Sequence, residues 1–301
     1  MNWGKIKTII IIIIIFMNAF FIYNIYRQNR NIYFFDSKTI QAACDLLAKD
    51  NINITPETIP DKKLSVSILE SVFDPGYYDF VVSKISGTEN YSRRIINNGI
   101  EFNIAKNNDI YIFSDTDILY MKYISNGYDG DIEKVYAEVN LSRLTGHIKT
   151  VKNYLLWKKD NQSNTAEFDL AVNKGYYDNA SDTYYIYFTQ MINSYLINEC
   201  EFIAVIRGDT VLYLEGQLVN NEISKSHQTT LIDQINILFK ERADIVGNGE
   251  ETEIYTISSL SSEYYINWNQ ERDIMFLIPA WKIVYENGDI IMRDAVNGNV
   301  Y

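Results

Sequence analysis

From Thr8 to Tyr26 the chain carries no charge, and seven consecutive isoleucines at 9–15 leave no polar face at helical spacing. At a rise of about 1.5 Å per residue, such a helix is long enough for a bilayer core of about 30 Å. Beyond residue 30 the pattern is different. Short runs with helical spacing alternate with stretches in which β-branched and aromatic residues occupy every second position, the mark of strands.

The pattern predicts helices at about 38–49, 141–158 and 228–245, each followed by strands. After the first come "LSVSILESVF", "YDFVVSKI", "IEFNIA" and "DIYIF". The second is followed by "AEFDLAV", "TYYIYF", "EFIAVI" and "TVLYLEG", and the third by "TEIYTIS", "EYYINW", "IMFLIPAWKIVY" and "DIIMR". Asn287-Gly288 is placed for a type I′ hairpin turn, and Gly208-Asp209 for the same role. The tetrapeptide GYYD occurs at Gly76–Asp79 and again at Gly175–Asp178, each time expected between the first two strands of a unit. The fold class is therefore α+β, a repeated helix-plus-antiparallel-sheet plan forming two extracytoplasmic domains, 31–135 and 136–301. The third unit can share a sheet with the second.

The apolar run is expected to stay attached. A signal peptide ends in small residues, whereas "FFIYNIYRQNR" offers bulky ones. Lys5 and Lys7 on one side are balanced by Arg27 and Arg30 on the other, but a short head is easier to retain inside than a long folded tail. The expectation is a cytoplasmic head at 1–7, a transmembrane helix at 8–26 and an extracytoplasmic remainder. The whole chain is formally −12; without those four cations, 23 basic residues face 39 acidic ones, a formal −16. That balance excludes nucleic acid as a partner and disfavours adhesion to anionic polymers.

Chemistry is sparse. The two histidines, His147 and His227, have no ligand-type partner at i+3 or i+4, so no zinc set forms and no nucleophile pair is apparent; each is expected on a solvated helix face or end. Phosphate-cradling and G-x-S-x-G motifs are missing. Asp129, Asp131 and Glu133 resemble half a calcium loop whose Gly and distal Glu are misplaced, and read better as a turn. "RGD" at 207–209 is a hairpin turn before it is an adhesion motif. Tyr77, Tyr184 and Tyr264 suit either a ligand groove or strand-face packing. Cys44 sits at a core position of the first helix, and a bridge to Cys200 remains open. No cofactor, metal or catalytic residue is expected.

Two stretches carry a resemblance. The start, with Asn2, Trp3, Lys5, Lys7 and Thr8 before an uncleaved span, looks like the YycI family of regulators of the Wal (Yyc) two-component system. The end, "FLIPAWKIVYENGDIIMRDAVNGNVY", is similar to that family's end through Pro279, Ala280, Trp281 and Ile283. The middle matches only in plan, which leaves the related YycH family or a generic ectodomain open. The resemblance implies a non-enzymatic, membrane-anchored regulator of a sensor histidine kinase controlling cell-wall metabolism. It would act with a YycH-like accessory protein through transmembrane helix contacts.

Three residues follow as interaction candidates. Asn18 lies near the middle of the span and Asn24 near its end, and a polar amide facing lipid is costly unless a partner helix takes it up. Trp3 beside two lysines suits an interface anchor. The competing expectation is an extracytoplasmic ligand- or wall-binding module on a simple tether.

Overall fold

A computed structural model describes residues 14–24, 34–72, 91–96, 99–106, 109–115, 119–125, 128, 137–155, 169–219, 223–247, 253–269 and 274–301. The architecture is mixed α+β, with extensive sheet and few helices. Residues 14–24 are helical, and Ile14 to Tyr23 are exposed. The rest of the expected span, the head at 1–7 and Trp3 lie outside the described residues. Among the described residues, no helix is long and apolar enough to cross a membrane.

The helices beyond residue 30 are α1 (Ser37–Leu47), α2 (Thr145–Leu155) and α3 (Gln234–Gly247). The strands run β1 (Ile52–Asn53), β2 (Ile68–Val72), β3 (Tyr91–Ile96), β4 (Gly99–Lys106), β5 (Asp109–Asp115), β6 (Leu119–Ile124) and β7 (Ala137–Glu138). They continue with β8 (Asp169–Asp178), β9 (Thr183–Ile192), β10 (Tyr195–Arg207), β11 (Thr210–Leu218) and β12 (Ile223–His227). The last are β13 (Tyr255–Asn269), β14 (Ile274–Tyr285) and β15 (Ile290–Asp294).

Contacts divide the chain into two interleaved units rather than at residue 135. The first comprises Met1–Val66, Thr230–Ser261 and Ala280–Tyr301; the second comprises Ser67–Thr229 and Ser262–Pro279. The helices therefore do not each head a self-contained repeat. In the first unit α1 and α3 share one core, in which Ile40, Ala43, Cys44 and Leu47 meet Ile237, Leu238, Ile257, Trp281 and Ile283. Those α1 positions recur at i, i+3, i+4 and i+7, the apolar stripe of an amphipathic helix. Asp36 caps α1 by accepting from the Thr39 amide at 2.8 Å. The third helix starts later than its periodicity suggests: residues 228–233 are not helical, and Asp233 caps α3 by accepting from the Asn236 amide at 2.9 Å. Here the cap overrides the apolar pattern.

In the second unit the strand order is β12-β2-β14-β13-β10-β11-β6-β5-β4-β3, with β9, β8 and β7 branching from β10. β10 serves β9, β11 and β13 because its register breaks between Leu196 and Glu201, where Glu199 takes φ 71°. β10 and β13 pair in parallel, whereas β10 runs antiparallel to β9 and β11. One face of this sheet buries Ile186, Phe188, Phe202, Ala204 and Leu214 with Leu144 and Val151 from the α2 region. Phe188 and Phe202 stack with centroids 5.3 Å apart.

Several local expectations change. "TEIYTIS" and "EYYINW" form one long strand, β13, while β3, β6 and β12 had no counterpart in the pattern. Gly175–Asp178 ends β8 rather than linking two strands. The hairpin at Asn287-Gly288 is not type I′, because only Gly288 has positive φ (93°). The Gly288 amide bonds the Tyr285 carbonyl at 3.0 Å and the Tyr285 amide bonds that of Asp289 at 2.9 Å, a three-residue loop closed by a glycine bulge. At the RGD turn Gly208 has φ 56° and Asp209 does not, the sign pattern of type II′. The type I′ signs occur instead at Asn193 and Ser194, between β9 and β10.

Candidate functional site

α3 carries Glu241, Asp244 and Ile245 at i, i+3 and i+4, which places them side by side on one helix face. Across from them, strand alternation along β14 and β15 turns Trp281, Ile283, Tyr285, Ile291 and Arg293 to the same side, with Trp281 opposite Arg293 and Ile283 opposite Ile291. Trp281 is 1% exposed and donates its indole N–H to the Ile232 carbonyl at 2.9 Å, so this residue is a core aromatic.

Arg293 and Glu241 are each 3% exposed. The Arg293 Nε donates to Glu241 Oε2 at 2.6 Å and its Nη1 to the Gly298 carbonyl at 3.0 Å, while Nη2 bonds Asp244 Oδ2. The other Glu241 oxygen accepts from the Tyr285 hydroxyl at 2.6 Å. Taking both charges from water is costly, and it is offset only because every guanidinium nitrogen and both carboxylate oxygens find partners. Burial works against the charge on Arg293, but the Asp244 and Glu241 carboxylates outweigh it and raise its pKa. The Tyr285 phenol is pushed up by burial and then by its bond to Glu241.

Above this network opens a cleft of about 370 Å³, lined by Glu241, Asp244, Ile245, Tyr255, Tyr285 and Asn287 together with Asp289, Ile291, Arg293 and Val300. That is the lower end of ligand-site size, about 300–1,000 Å³. The rings of Tyr255 and Tyr285 form an edge-to-face pair with centroids 6.0 Å apart. Among the described residues, three carboxylates and one guanidinium line it, a formal −2.

The sequence nominated none of these residues, although two signals were present. Glu241 occupies a core position of α3, in line with Leu238 and Ile245, and Arg293 alternates onto the inward face of β15. A charged residue at an inward position of each of two elements signals a buried pair.

The sequence-nominated residues are placed as follows. Asn18 is exposed, and Asn24 donates its amide to the Phe20 carbonyl of its own helix at 3.0 Å. Trp3, Tyr77, Asp129, Asp131 and Glu133 lie outside the described residues. Tyr264 is core, 1% exposed, with its hydroxyl on the Ser67 carbonyl at 3.1 Å. Tyr184 packs between Tyr177 and His147. His147 lies in α2, where burial lowers its pKa. His227 was expected at a helix; it ends strand β12 and meets Glu70 at 3.0 Å. Cys44 and Cys200 are free, each buried in its own unit.

No metal-type group of three His, Cys, Asp or Glu side chains occurs among the described residues. Neither a protein-family model nor a curated protein matches the sequence. Among solved structures, a crystal structure of an uncharacterized protein from Eubacterium rectale ATCC 33656 is similar over 83% of this chain and 88% of that chain, at 13% identity and a TM-score of 0.43.

Proposed function

We propose that this protein is a membrane-anchored, non-enzymatic regulator of a sensor histidine kinase that controls cell-wall metabolism, working beside a YycH-like partner through contacts between transmembrane helices. The observation that carries the reading is Asn18: an amide on the exposed surface of a helical, mostly apolar segment. Asn24 already has its own helix's carbonyl as partner. In lipid, an amide like that of Asn18 gains about 0.6–2 kcal/mol from a partner helix and nothing from hydrocarbon. The resemblance at both ends of the chain supports the same reading.

The anchor is the effector in this proposal. Replacing Asn18→Leu should weaken co-purification with the kinase or the accessory protein by at most about tenfold, given roughly 1 kcal/mol for such a bond, and leave membrane insertion unchanged. Exchanging residues 8–26 for an unrelated spanning helix should abolish regulation. A second reading, an extracytoplasmic binding module on a simple tether, is favoured by the cleft beside Arg293. It predicts the opposite result, full function through the foreign anchor.

A further inference from the structure

We infer that the cleft between α3 and the β14–β15 hairpin binds a primary ammonium group carried on an apolar stem. Arg293 is the one cation among the described lining residues, and each of its three nitrogens already serves Glu241, Gly298 or Asp244. A carboxylate or phosphate entering the cleft would meet three acids and a guanidinium that is 3% exposed and already bonds three acceptors. The charge therefore selects for a cation.

The carboxylates have capacity left. Asp244, with its side chain 59% exposed, gives one oxygen to Arg293, and Asp289 gives one to the Asn287 amide at 2.7 Å. A carboxylate has room for about four hydrogen bonds. An ammonium group brings three donors in a compact head, suited to such carboxylate acceptors. Burial and hydrogen bonding hold the Glu241–Arg293–Tyr285 floor, and Asp244, on α3, bonds Arg293 of that floor.

The remaining walls fit the stem. Ile245, Ile291 and Val300 are apolar, and the Tyr255–Tyr285 pair offers ring surface that attracts a cation within about 6 Å. Beside the cleft, Ile254 is 72% and Ile290 56% exposed, next in sequence to the lining residues Tyr255 and Ile291. A free amine and a peptide lysine share this chemistry.

The inference is independent of the anchor reading, because binding is measured directly and kinase regulation is not. The test titrates the full chain in neutral detergent with n-butylammonium, butyrate and Nα-acetyl-lysine methylamide, followed by line broadening of each probe. Butylammonium should bind at least about tenfold more tightly than butyrate. Asp289→Asn, in an exposed turn, should weaken butylammonium several-fold, and adding Asp244→Asn should remove saturable binding while thermal unfolding still shows a folded chain. Preference for the lysine amide over butylammonium would name a peptide as the source; the reverse would name a free amine. Equal binding of butyrate, absence of saturable butylammonium binding, or full affinity in Asp289→Asn would each overturn the assignment. Should the double variant fail to fold, Asp289→Asn alone decides.

Discussion

Glu241 and Glu215 both accept a hydrogen bond from a tyrosine hydroxyl and both face a cation, yet they are built to different standards. Glu241 is enclosed, its Arg293 partner is itself buried, and both side chains are about 3–4% exposed. Glu215 lies on β11 within the second unit. It accepts from the Tyr120 and Tyr213 hydroxyls and meets Lys122 at 3.3 Å, but Lys122 and Glu215 are 27% and 30% exposed. Burial pushes the Glu215 carboxyl up, and the bonds from Tyr120, Tyr213 and Lys122 outweigh it, leaving its pKa below the ordinary carboxylate range. The Tyr213 phenol is pushed up by burial and by Glu215. Water can substitute for a lost partner at Glu215. At Glu241 it cannot. An enclosed pair fixes geometry at the expense of tolerance, whereas a half-open one tolerates loss.

The largest expected effect is at the enclosed pair. Arg293→Met strands the Glu241 carboxylate and should cost about 3–5 kcal/mol, read from denaturant unfolding followed by circular dichroism. Replacing the set together, as E241L/Y285F/R293M, should recover most of that loss, because an apolar core of similar volume replaces a desolvated network. A triple variant as unstable as Arg293→Met would mean that packing, not the stranded charge, sets the cost.

Glu215→Gln should cost less, about 0.5–1.5 kcal/mol, since the tyrosine hydroxyls keep a neutral acceptor and reach water. Equal losses at the two sites would break the comparison.

The smallest effect is expected in acid, at a third carboxylate. Glu70 on β2 accepts from His227 at 3.0 Å and Lys225 at 3.1 Å on β12, and these bonds hold its pKa below the ordinary 4.5. A depressed carboxyl contributes stability above its unfolded value, and that contribution disappears as pH falls through the folded one. Hydrogen-exchange protection of β12 amides should therefore decline below about pH 4.5 and, in Glu70→Gln, should show no such step. A step at the same pH in Glu70→Gln would assign it to another group.

The difference between these carboxylates was only partly legible in the chain. Glu241 interrupts an apolar helical stripe and Arg293 an apolar strand face, so each looks inward on periodicity alone. Nothing in the sequence brings the two together, because they are 52 residues apart and belong to different elements. Glu215 and Lys122 are still more remote, 93 residues apart, and their adjacency follows from the β6–β11 register. The short strands β3, β6 and β12 escaped the pattern because strands are stabilised by neighbours, so a weakly alternating run becomes a strand only where an edge awaits it.

What the sequence determined by itself was local: the α+β class, the three helices beyond residue 30, most long strands, the core place of Cys44 and the turns at Gly208 and Gly288. These depend on periodicity, backbone sterics and capping, which act within a few residues. The tertiary structure decided what is non-local. α1 shares a core with α3 instead of heading its own repeat, and the chain divides into interleaved units rather than at residue 135. A cleft forms where Glu241, Arg293 and Tyr285 converge. Burial makes those choices, since an amphipathic face carries no label for its partner. The helix stripe said that α1 must be covered, and only the fold selected what covers it.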